Sequence, residues 1–258
     1  MKPVRQTRRP PHRSPKVSLT RAISKRGFCS RAKAQIYILR GRVRVNGSIS
    51  QDPERRVDFN LDRIEVDNLP ISTEKKIYIL LNKPRGFVVT TSDEKGRPTV
   101  YDRLKEEKFP WIAPVGRLDK ASEGLLLFTN DTRWAAKILD PEAHLEKTYH
   151  VQINQLANED LIRQIRVGTT TEDGDSLTAR EARILRRGTR NCWLEIILDE
   201  GKNRQIRRLL AALGVEVLRL VRVAIGPLTL GKLAKGAYRH LTKEEIDALT
   251  SFSKRFTA

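Results

Sequence analysis

Strand-length apolar stretches outnumber helical patterns in this chain, and they constrain its fold more than any other feature. The stretches are IYILLN (77–82), FVVTT (87–91), LLLFTND (125–131), KTYHVQI (147–153), AREARIL (179–185), CWLEIIL (192–198) and VEVLRLVRVAIG (215–226). Many strands combined with few, unevenly placed helices are typical of α+β domains. The sequence therefore predicts an α+β fold, built on a largely antiparallel mixed sheet with flanking helices.

Three helices of this larger region begin at residues that are typical of helix N-termini. Asn158 precedes the helical pattern EDLIRQI, and Asn203 precedes RQIRRLLAALG, which we expect to end at Gly214. Thr242 and Glu245 have the spacing of a capping box at the start of the last helix.

The positive charge is concentrated at the N-terminus. The net charge is +19, and residues 1–44 contain 14 Lys/Arg and no Asp or Glu, whereas the rest of the chain has 36 basic and 31 acidic residues. A polyanion such as nucleic acid is the partner that this pattern favours, because neutralised phosphates release counterions. A solvated basic tail and an organellar transit peptide are the alternatives. Residues 1–16, with four prolines and six basic residues, are predicted to be a disordered arm.

Residues 17–67 have the pattern of a compact, basic α/β module. A first helix starts after Ser18, and Ser30 can cap a second helix, for which Ala32, Ile36 and Leu39 are the expected buried face. The segment RVRVNG predicts a hairpin that turns at Asn46-Gly47, and RIEVD is a further strand candidate. Residues 68–76 are predicted to be a linker. The expected RNA contacts of the module are Arg21, Lys25, Arg26, Ser30, Arg31, Lys33, Arg42 and Arg44.

Composition argues against several other classes of protein. The two cysteines and four histidines are scattered, so neither a disulfide framework nor a metal site is expected. No apolar run approaches the roughly 20 residues that cross a bilayer, and the N-terminus lacks the apolar core of a secretory signal. We expect a cytoplasmic monomer with no membrane partner.

Two known families resemble the chain. The stretch GFCSRAKAQIYILRGRVRVNG resembles the S4-type RNA-binding domain, named after a ribosomal protein. The stretches LNKPRG, KGRPTVYDRL, GRLDKASEGLLLFTND, EKTYHV and DEGKNRQIRRLLAALGVEVLRLVRVAIG resemble, in this order, the RsuA/RluB branch of the rRNA pseudouridine synthases. This resemblance covers roughly residues 17–247, and KGRPTVYDRL is most like the large-subunit (RluB-type) members.

The resemblance implies a cofactor-free isomerisation of uridine in ribosomal RNA, free or in an assembling subunit, to pseudouridine. The catalytic domain would span residues 77–250, followed by a tail over 251–258. Asp119 matches the catalytic carboxylate of the family, Arg207 its neighbouring cation and Tyr149 the aromatic that stacks on a flipped uracil. On a helical wheel Arg207 lies at the edge of the apolar stripe, where a side chain can be half buried.

The other candidate site residues have two interpretations each. Arg117 matches the arginine that fills the space of the flipped base, and a phosphate contact is its alternative. Lys83 and Lys147 are assigned to phosphates or to the surface of a strand edge. For Arg204 and Arg208 we favour phosphate contacts over a solvated helix face.

Competing functions remain open at this point. The chain could act on small-subunit rRNA, or it could be a non-catalytic rRNA-binding assembly factor. Glu123, four residues after Asp119, raises the possibility of a metal site or a two-carboxylate hydrolase, but two acids are too few for a dedicated metal site.

Overall fold

The computed structural model describes residues 16–72, 75–91, 93–105, 107 and 109–252. The chain divides into two compact units, residues 1–75 and 76–258, which are described separately below. The predicted basic arm lies outside the described residues except for Lys16, which begins the first strand. The predicted tail does so as well, except that Ser251 and Phe252 still belong to the last helix.

The first unit contains two helices and six short strands. A four-stranded antiparallel sheet has the order β3-β2-β5-β6, and β1 pairs with β4. The elements are β1 (Lys16–Ser18), α1 (Leu19–Lys25), α2 (Arg31–Leu39), β2 (Val43–Val45), β3 (Ser48–Ile49), β4 (Arg56–Asp58), β5 (Ile64–Val66) and β6 (Leu69–Pro70).

Local sequence signals account for the start of α2 and for the hairpin. The Ser30 hydroxyl accepts a hydrogen bond from the Lys33 amide at 3.2 Å, as a helix cap does. Asn46 and Gly47 both have positive φ, 51° and 83°, as a type I′ turn between β2 and β3 requires. Both predictions are confirmed.

The expected buried face of α2 is wrong. Ala34 and Ile38 are fully buried, whereas Ile36 and Leu39 are 50% and 54% exposed. Apolar residues lie on several faces of this helix, so periodicity alone does not identify the face that packs on α1. The predicted linker also needs correction, because β6 pairs with β5 and Ile71 packs into the core of this unit.

Arg26 was predicted to contact RNA, and this prediction is wrong. Its side chain is buried, and its guanidinium donates hydrogen bonds to the carbonyls of Ile71, Phe59 and Asp62 at 3.1, 2.7 and 2.8 Å. Burial lowers the pKa of Arg26, an effect that Asp62 partly offsets. Arg26 therefore holds the loop before β5 and the chain after β6 in place.

The second unit is built on a nine-stranded sheet. The strands of the unit are β7 (Tyr78–Lys83), β8 (Ala113–Val115), β9 (Glu123–Thr129), β10 (Lys147–Ile153), β11 (Thr169–Thr170), β12 (Ser176–Leu177), β13 (Glu181–Arg187), β14 (Cys192–Leu198), β15 (Val217–Ile225), β16 (Leu228–Thr229) and β17 (Tyr238–His240). The main path of the sheet has the order β13-β14-β10-β15-β9-β7-β17, with β16 paired to β15 and β8 paired to β9. The two remaining strands, β11 and β12, form a separate hairpin. The helices are α3 (Thr132–Leu139), α4 (Glu159–Val167), α5 (Gln205–Ala212) and α6 (Lys243–Phe252).

The pairing of this sheet is antiparallel except between β15 and β9. The predicted α+β class with a largely antiparallel mixed sheet is therefore confirmed. FVVTT is not a strand, because only Val88 forms an isolated bridge, to Thr99. The helix α3 was not predicted; it is capped by Asp131, which accepts hydrogen bonds from the Arg133 and Trp134 amides.

The core of the second unit lies on both faces of the sheet. One apolar cluster packs α4 and α5 against the inner residues of β10 and β14, including Val151, Leu194 and Ile196. Two further clusters enclose β7 and β9, and every residue of β9 is buried. Asn158 caps α4, and the Thr242–Glu245 capping box is present at α6, as expected. Within the described residues, no helix is long and apolar enough to cross a membrane.

Candidate active site

Asp119 lies on the loop between β8 and β9, at the rim of a cleft of about 380 Å³. The cleft is formed by this loop, the start of β10, the ends of β14 and β15, and the segment that leads into α5. The carboxylate is 36% exposed, so it can reach a ligand while part of its surface remains covered by protein.

Lys83 supports the Asp119 loop from beneath. Its side chain is fully buried, and its ammonium donates hydrogen bonds to the carbonyls of Pro84, Asp119 and Ser122 at 3.1, 3.1 and 2.7 Å. Burial lowers the pKa of Lys83 to about 8, although the charges of Asp119 and Glu123 act in the opposite direction. The predicted phosphate or surface role of Lys83 is therefore wrong, because its charge is directed at the protein backbone.

Strand β9, which follows the Asp119 loop, also holds this loop in place. Gly124 pairs with Arg222 of β15, with a φ of +100°, and a Cβ at this glycine would lie only 2.2 Å from the Arg222 carbonyl oxygen. The first residue of β9, Glu123, is 4% exposed. It accepts two hydrogen bonds from Arg219, at 2.8 and 3.0 Å, and its ion pair with Lys235 is 2.7 Å long.

These partners decide the role of Glu123. Burial raises its pKa, but hydrogen bonds from Arg219 and Lys235 outweigh burial, so the net pKa is lowered. Both carboxylate oxygens thus have cationic partners, which leaves Glu123 unsuited to act as a second catalytic acid beside Asp119. Within the described part of the chain, no group of three or more His, Cys, Asp or Glu side chains could share a metal ion.

Two arginines of the α5 region surround Asp119. The Arg204 guanidinium is 3.5 Å from the Asp119 carboxylate. Arg204 also precedes α5 with φ 50°, in the left-handed region, and α5 has no side-chain cap, so the expected cap Asn203 is wrong. Arg207 is half buried and donates hydrogen bonds to the carbonyls of Val217 and Ala121, at 3.2 and 3.3 Å.

The electrostatic environment of Arg207 agrees with this placement. Burial lowers its pKa, as do the charges of Arg204 and Arg85, whereas Asp119 raises it. Arg207 is therefore close enough to interact electrostatically with the Asp119 carboxylate. Among the described residues, however, the ion pair of Asp119 is with Arg204. The sequence predicted one cation beside Asp119, and the structure brings two: one on the carboxylate and one on the backbone of its loop.

The wall of the cleft comes from alternating residues of β10 and β15. Tyr149 lies directly across the strand pair from Arg222, and Lys147 precedes it by two positions. Lys147 is half buried, and burial lowers its pKa together with the charge of Arg222, while Asp199 raises it. Leu220 is buried and lines the cleft as well. The predicted grouping of Asp119 and Tyr149 in one pocket is thus present in the structure.

Arg222 is a cleft residue that the sequence analysis missed. It is 6% exposed, and its Nε donates a hydrogen bond to the Leu125 carbonyl at 2.8 Å. One of its terminal nitrogens is buried without a partner among the described residues. Arg222 lies two positions after the buried Leu220, so strand alternation places both on the same face of β15. The flanking Val221 and Val223 lie on the other face, and these apolar neighbours favour the wrong assignment of an outward-facing arginine.

A second cavity, of about 500 Å³, adjoins the cleft. The two share Arg117, Leu118, Asp119 and Asn203, so these residues form the ridge between them. Arg117 is exposed on this ridge, two residues before Asp119.

The remaining predicted contacts differ in their surroundings. The favoured phosphate contact of Arg208 is wrong, because its guanidinium pairs with Asp173 and Asp175 at 2.6 and 2.7 Å. These ion pairs anchor the β11–β12 hairpin to α5. In the first unit, Arg42 pairs with Asp67, and Arg44 donates to Asn68 and to the Gly47 carbonyl. The side chains of Arg21, Arg31 and Lys33 are exposed, and those of Lys25 and Ser30 are partly exposed.

Comparison with known proteins identifies the family. A sequence model described as RNA pseudouridylate synthase matches residues 77–212, and an S4 domain model matches residues 19–62. The chain belongs to the RNA pseudouridylate synthase family. It is therefore an isomerase, and the resemblance to pseudouridine synthases that carry an S4 domain is confirmed.

Relatives match over nearly the whole chain. An uncharacterized RNA pseudouridine synthase of Aquifex aeolicus is 37% identical over 90% of this chain and 93% of its own length. Ribosomal large subunit pseudouridine synthase B of Bacillus subtilis is 35% identical over 91% of this chain and 96% of its own length. A crystal structure of a pseudouridylate synthase superposes with a TM-score of 0.61 at 30% identity, covering 90% of this chain and 99% of that one.

Proposed function

We propose that this enzyme isomerises a specific uridine of large-subunit ribosomal RNA to pseudouridine. The observation that carries the proposal is the placement of Asp119, on the rim of a cleft that also holds Tyr149 and beside the Arg204 guanidinium. The large subunit is favoured because a relative that aligns over 91% of the chain is named ribosomal large subunit pseudouridine synthase B. The stretch KGRPTVYDRL supports the same subunit.

Asp119 is the catalytic carboxylate in this proposal. The reaction breaks the bond between N1 of uracil and the sugar, turns the base and joins carbon five to the sugar. Carbon five then loses its proton and N1 gains one, so the reaction is an isomerisation. One carboxylate must therefore stay beside the sugar throughout. The carboxylate either attacks the sugar or stabilises the intermediate. The Arg204 guanidinium lies 3.5 Å from the carboxylate, and the hydrogen bonds of Lys83 and Arg207 to its loop hold it in place.

The target base reaches the cleft by leaving its helix. Tyr149 provides a flat ring on which the uracil can stack, and the volume of about 380 Å³ lies in the range of small-molecule sites. Arg117 is exposed on the ridge beside Asp119, where it can occupy the position that the base vacates. Base flipping thus assigns a role to each of the three residues without a cofactor.

The first unit supplies part of the RNA affinity. Arg31 and Lys33 are exposed in the first turn of α2, after its Ser30 cap, and Arg21 is exposed on α1. Such cations bind phosphates and make affinity depend on salt. We propose that the enzyme acts as a cytoplasmic monomer, on free rRNA or on an assembling subunit.

Purified protein and unmodified rRNA transcripts test this function. The protein is incubated separately with large-subunit and small-subunit transcripts, and pseudouridine is mapped chemically at nucleotide resolution. The proposal predicts one modified uridine in the large-subunit transcript. If only the small-subunit transcript is modified, the substrate is small-subunit rRNA instead. If neither transcript nor an assembling particle is modified, the proposed function is refuted.

A further inference from the structure

Where the second unit's sheet is formed by β13, β14, β10 and β15, one of its faces is polar and only partly covered. Along β13, β14, β10 and β15, the residues facing α4 and α5 are buried, including Leu194, Val151 and Leu220. The alternate residues face the other way and remain exposed or partly exposed. This outer face consists of Arg183, Arg186, Trp193, Glu195, His150, Gln152, Arg219 and Val221.

Two rows cross the outer face. The strand register places Arg186 opposite Trp193, Trp193 opposite Gln152, and Gln152 opposite Arg219, so these four residues form one continuous row. The neighbouring row runs from Arg183 through Glu195 and His150 to Val221, by the same registers. Adjacent rows on one face are about 7 Å apart, because side chains alternate at about 3.4 Å per residue.

The first row is an arginine–tryptophan–arginine cluster. The guanidinium of Arg186 lies 5.0 Å from the centre of the Trp193 ring, and that of Arg219 lies 5.8 Å from it. Among the described residues, Arg186 has no carboxylate partner. Unpaired bases stack on both aromatic rings and guanidinium planes, so this row presents flat groups of the kind that read single-stranded RNA.

The charge of the face is positive. Arg183 and His150 contact Glu195, at 2.7 and 3.3 Å. Arg219 and Lys235 contact Glu123, which the register places beside Val221 at the end of the second row. Four cations, Arg183, Arg186, Arg219 and Lys235, therefore face two carboxylates. The excess suits phosphates, whereas the neutralised carboxylates offer little repulsion to them.

We propose that the first row of the outer face, Arg186, Trp193, Gln152 and Arg219, binds an unpaired segment of the substrate RNA outside the target nucleotide. The proposal rests on the proposed function, because RNA is the substrate there. The cleft uses the opposite face of β10 and β15, where Tyr149 and Arg222 lie, so the two contacts do not compete for the same side chains. Arginines on the edge strand β13 also oppose edge-to-edge association, which is the alternative that the test must separate.

Binding of unmodified large-subunit rRNA transcript tests the proposal, over a series of salt concentrations. Trp193→Leu removes the flat ring and is expected to weaken binding about tenfold, whereas Trp193→Phe should retain most of the affinity. Arg186→Gln should lower the slope of log affinity against log salt by about one. Arg163→Gln is the matched control, because Arg163 is an exposed arginine on α4, on the other side of the sheet.

Other readouts separate this proposal from the alternatives. Thermal melting confirms that each variant is folded, and sedimentation reports self-association. Unchanged affinity and salt slope in folded Trp193→Leu and Arg186→Gln would overturn the proposal, and self-association without weaker binding would assign the arginines to edge protection instead. If the wild-type protein binds the transcript but modifies no uridine, and Trp193→Leu still binds it more weakly, the proposed function is refuted and the RNA contact of the row is not.

Discussion

Gly124 offers the sharpest test of how the fold assembles the site. It lies where β9 meets β15, five residues after Asp119, and the parallel pairing there consists of two residue pairs, Val221–Glu123 and Arg222–Gly124. Its φ is +100°, and an added Cβ would lie 2.2 Å from the oxygen and 2.9 Å from the nitrogen of Arg222. Gly124→Ala therefore strains the backbone and also forces the two strands apart.

The loss of stability expected for Gly124→Ala has two parts. A left-handed backbone costs a residue with a Cβ about 1–2 kcal/mol, and overpacking a closed contact costs about 1–3 kcal/mol. Gly124→Ala should lower the free energy of unfolding by about 2–5 kcal/mol. Gly86→Ala is the matched control, because Gly86 has φ +95° but no atom within 4 Å of the added Cβ. Gly86→Ala should show only the backbone cost of about 1–2 kcal/mol.

Urea unfolding, followed by circular dichroism at 25 °C, measures both variants. The expected difference between them, about 1–3 kcal/mol, isolates the contact between β9 and the Arg222 backbone. Pseudouridine formation, measured where both variants are folded, should fall further in Gly124→Ala, because the shift moves Arg222 and the Asp119 loop. Equal losses of stability in the two variants would refute the reasoning.

Two further predictions concern buried charges near Asp119. Lys83 titrates at about pH 8 when folded and near 10.5 when unfolded, so the unfolded state binds more protons between these values and stability should rise with pH there. The complete rise in the free energy of unfolding is about 3 kcal/mol, and Lys83→Met should not show it. A wild-type urea-unfolding midpoint that stays constant from pH 7 to 10 would contradict this prediction. Glu123→Ala leaves Arg219 and Lys235 without their carboxylate and should cost about 1–3 kcal/mol. Glu123→Gln should cost less, and two variants as stable as the wild type in urea would exclude a structural role for Glu123.

Local signals were sufficient for much of the fold. Asn158, the Asn46-Gly47 turn and the Thr242–Glu245 pair act on backbone within a few residues of themselves, so sequence spacing contains the whole interaction. The strand predicted for KTYHVQI is present as β10, and its alternate residues Tyr149, Val151 and Ile153 lie on the face that packs on α4 and α5. The grouping of Tyr149 with Asp119 came from the family resemblance instead, and both residues line the same cleft.

The errors have a different physical origin. Arg26 and Lys83 bond to carbonyls up to 45 and 39 residues away, respectively, and no local pattern distinguishes such a cation from an exposed one. FVVTT has the composition of a strand, but it has a single bridging partner, so β-propensity alone misled the prediction. The ion pair between Arg204 and Asp119 depends on a left-handed residue before α5, which the sequence NRQIRR does not reveal.

Pseudouridine mapping with an Asp119→Asn variant is the most direct test of the central claim. The variant keeps the size of the side chain and the hydrogen bonds of the loop backbone to Lys83, but it has no carboxylate beside the sugar. Wild-type protein should convert one uridine of the large-subunit transcript, and Asp119→Asn should bind the same transcript with similar affinity and convert none. Pseudouridine formation by folded Asp119→Asn at the wild-type rate would contradict the assignment of Asp119 as the catalytic carboxylate.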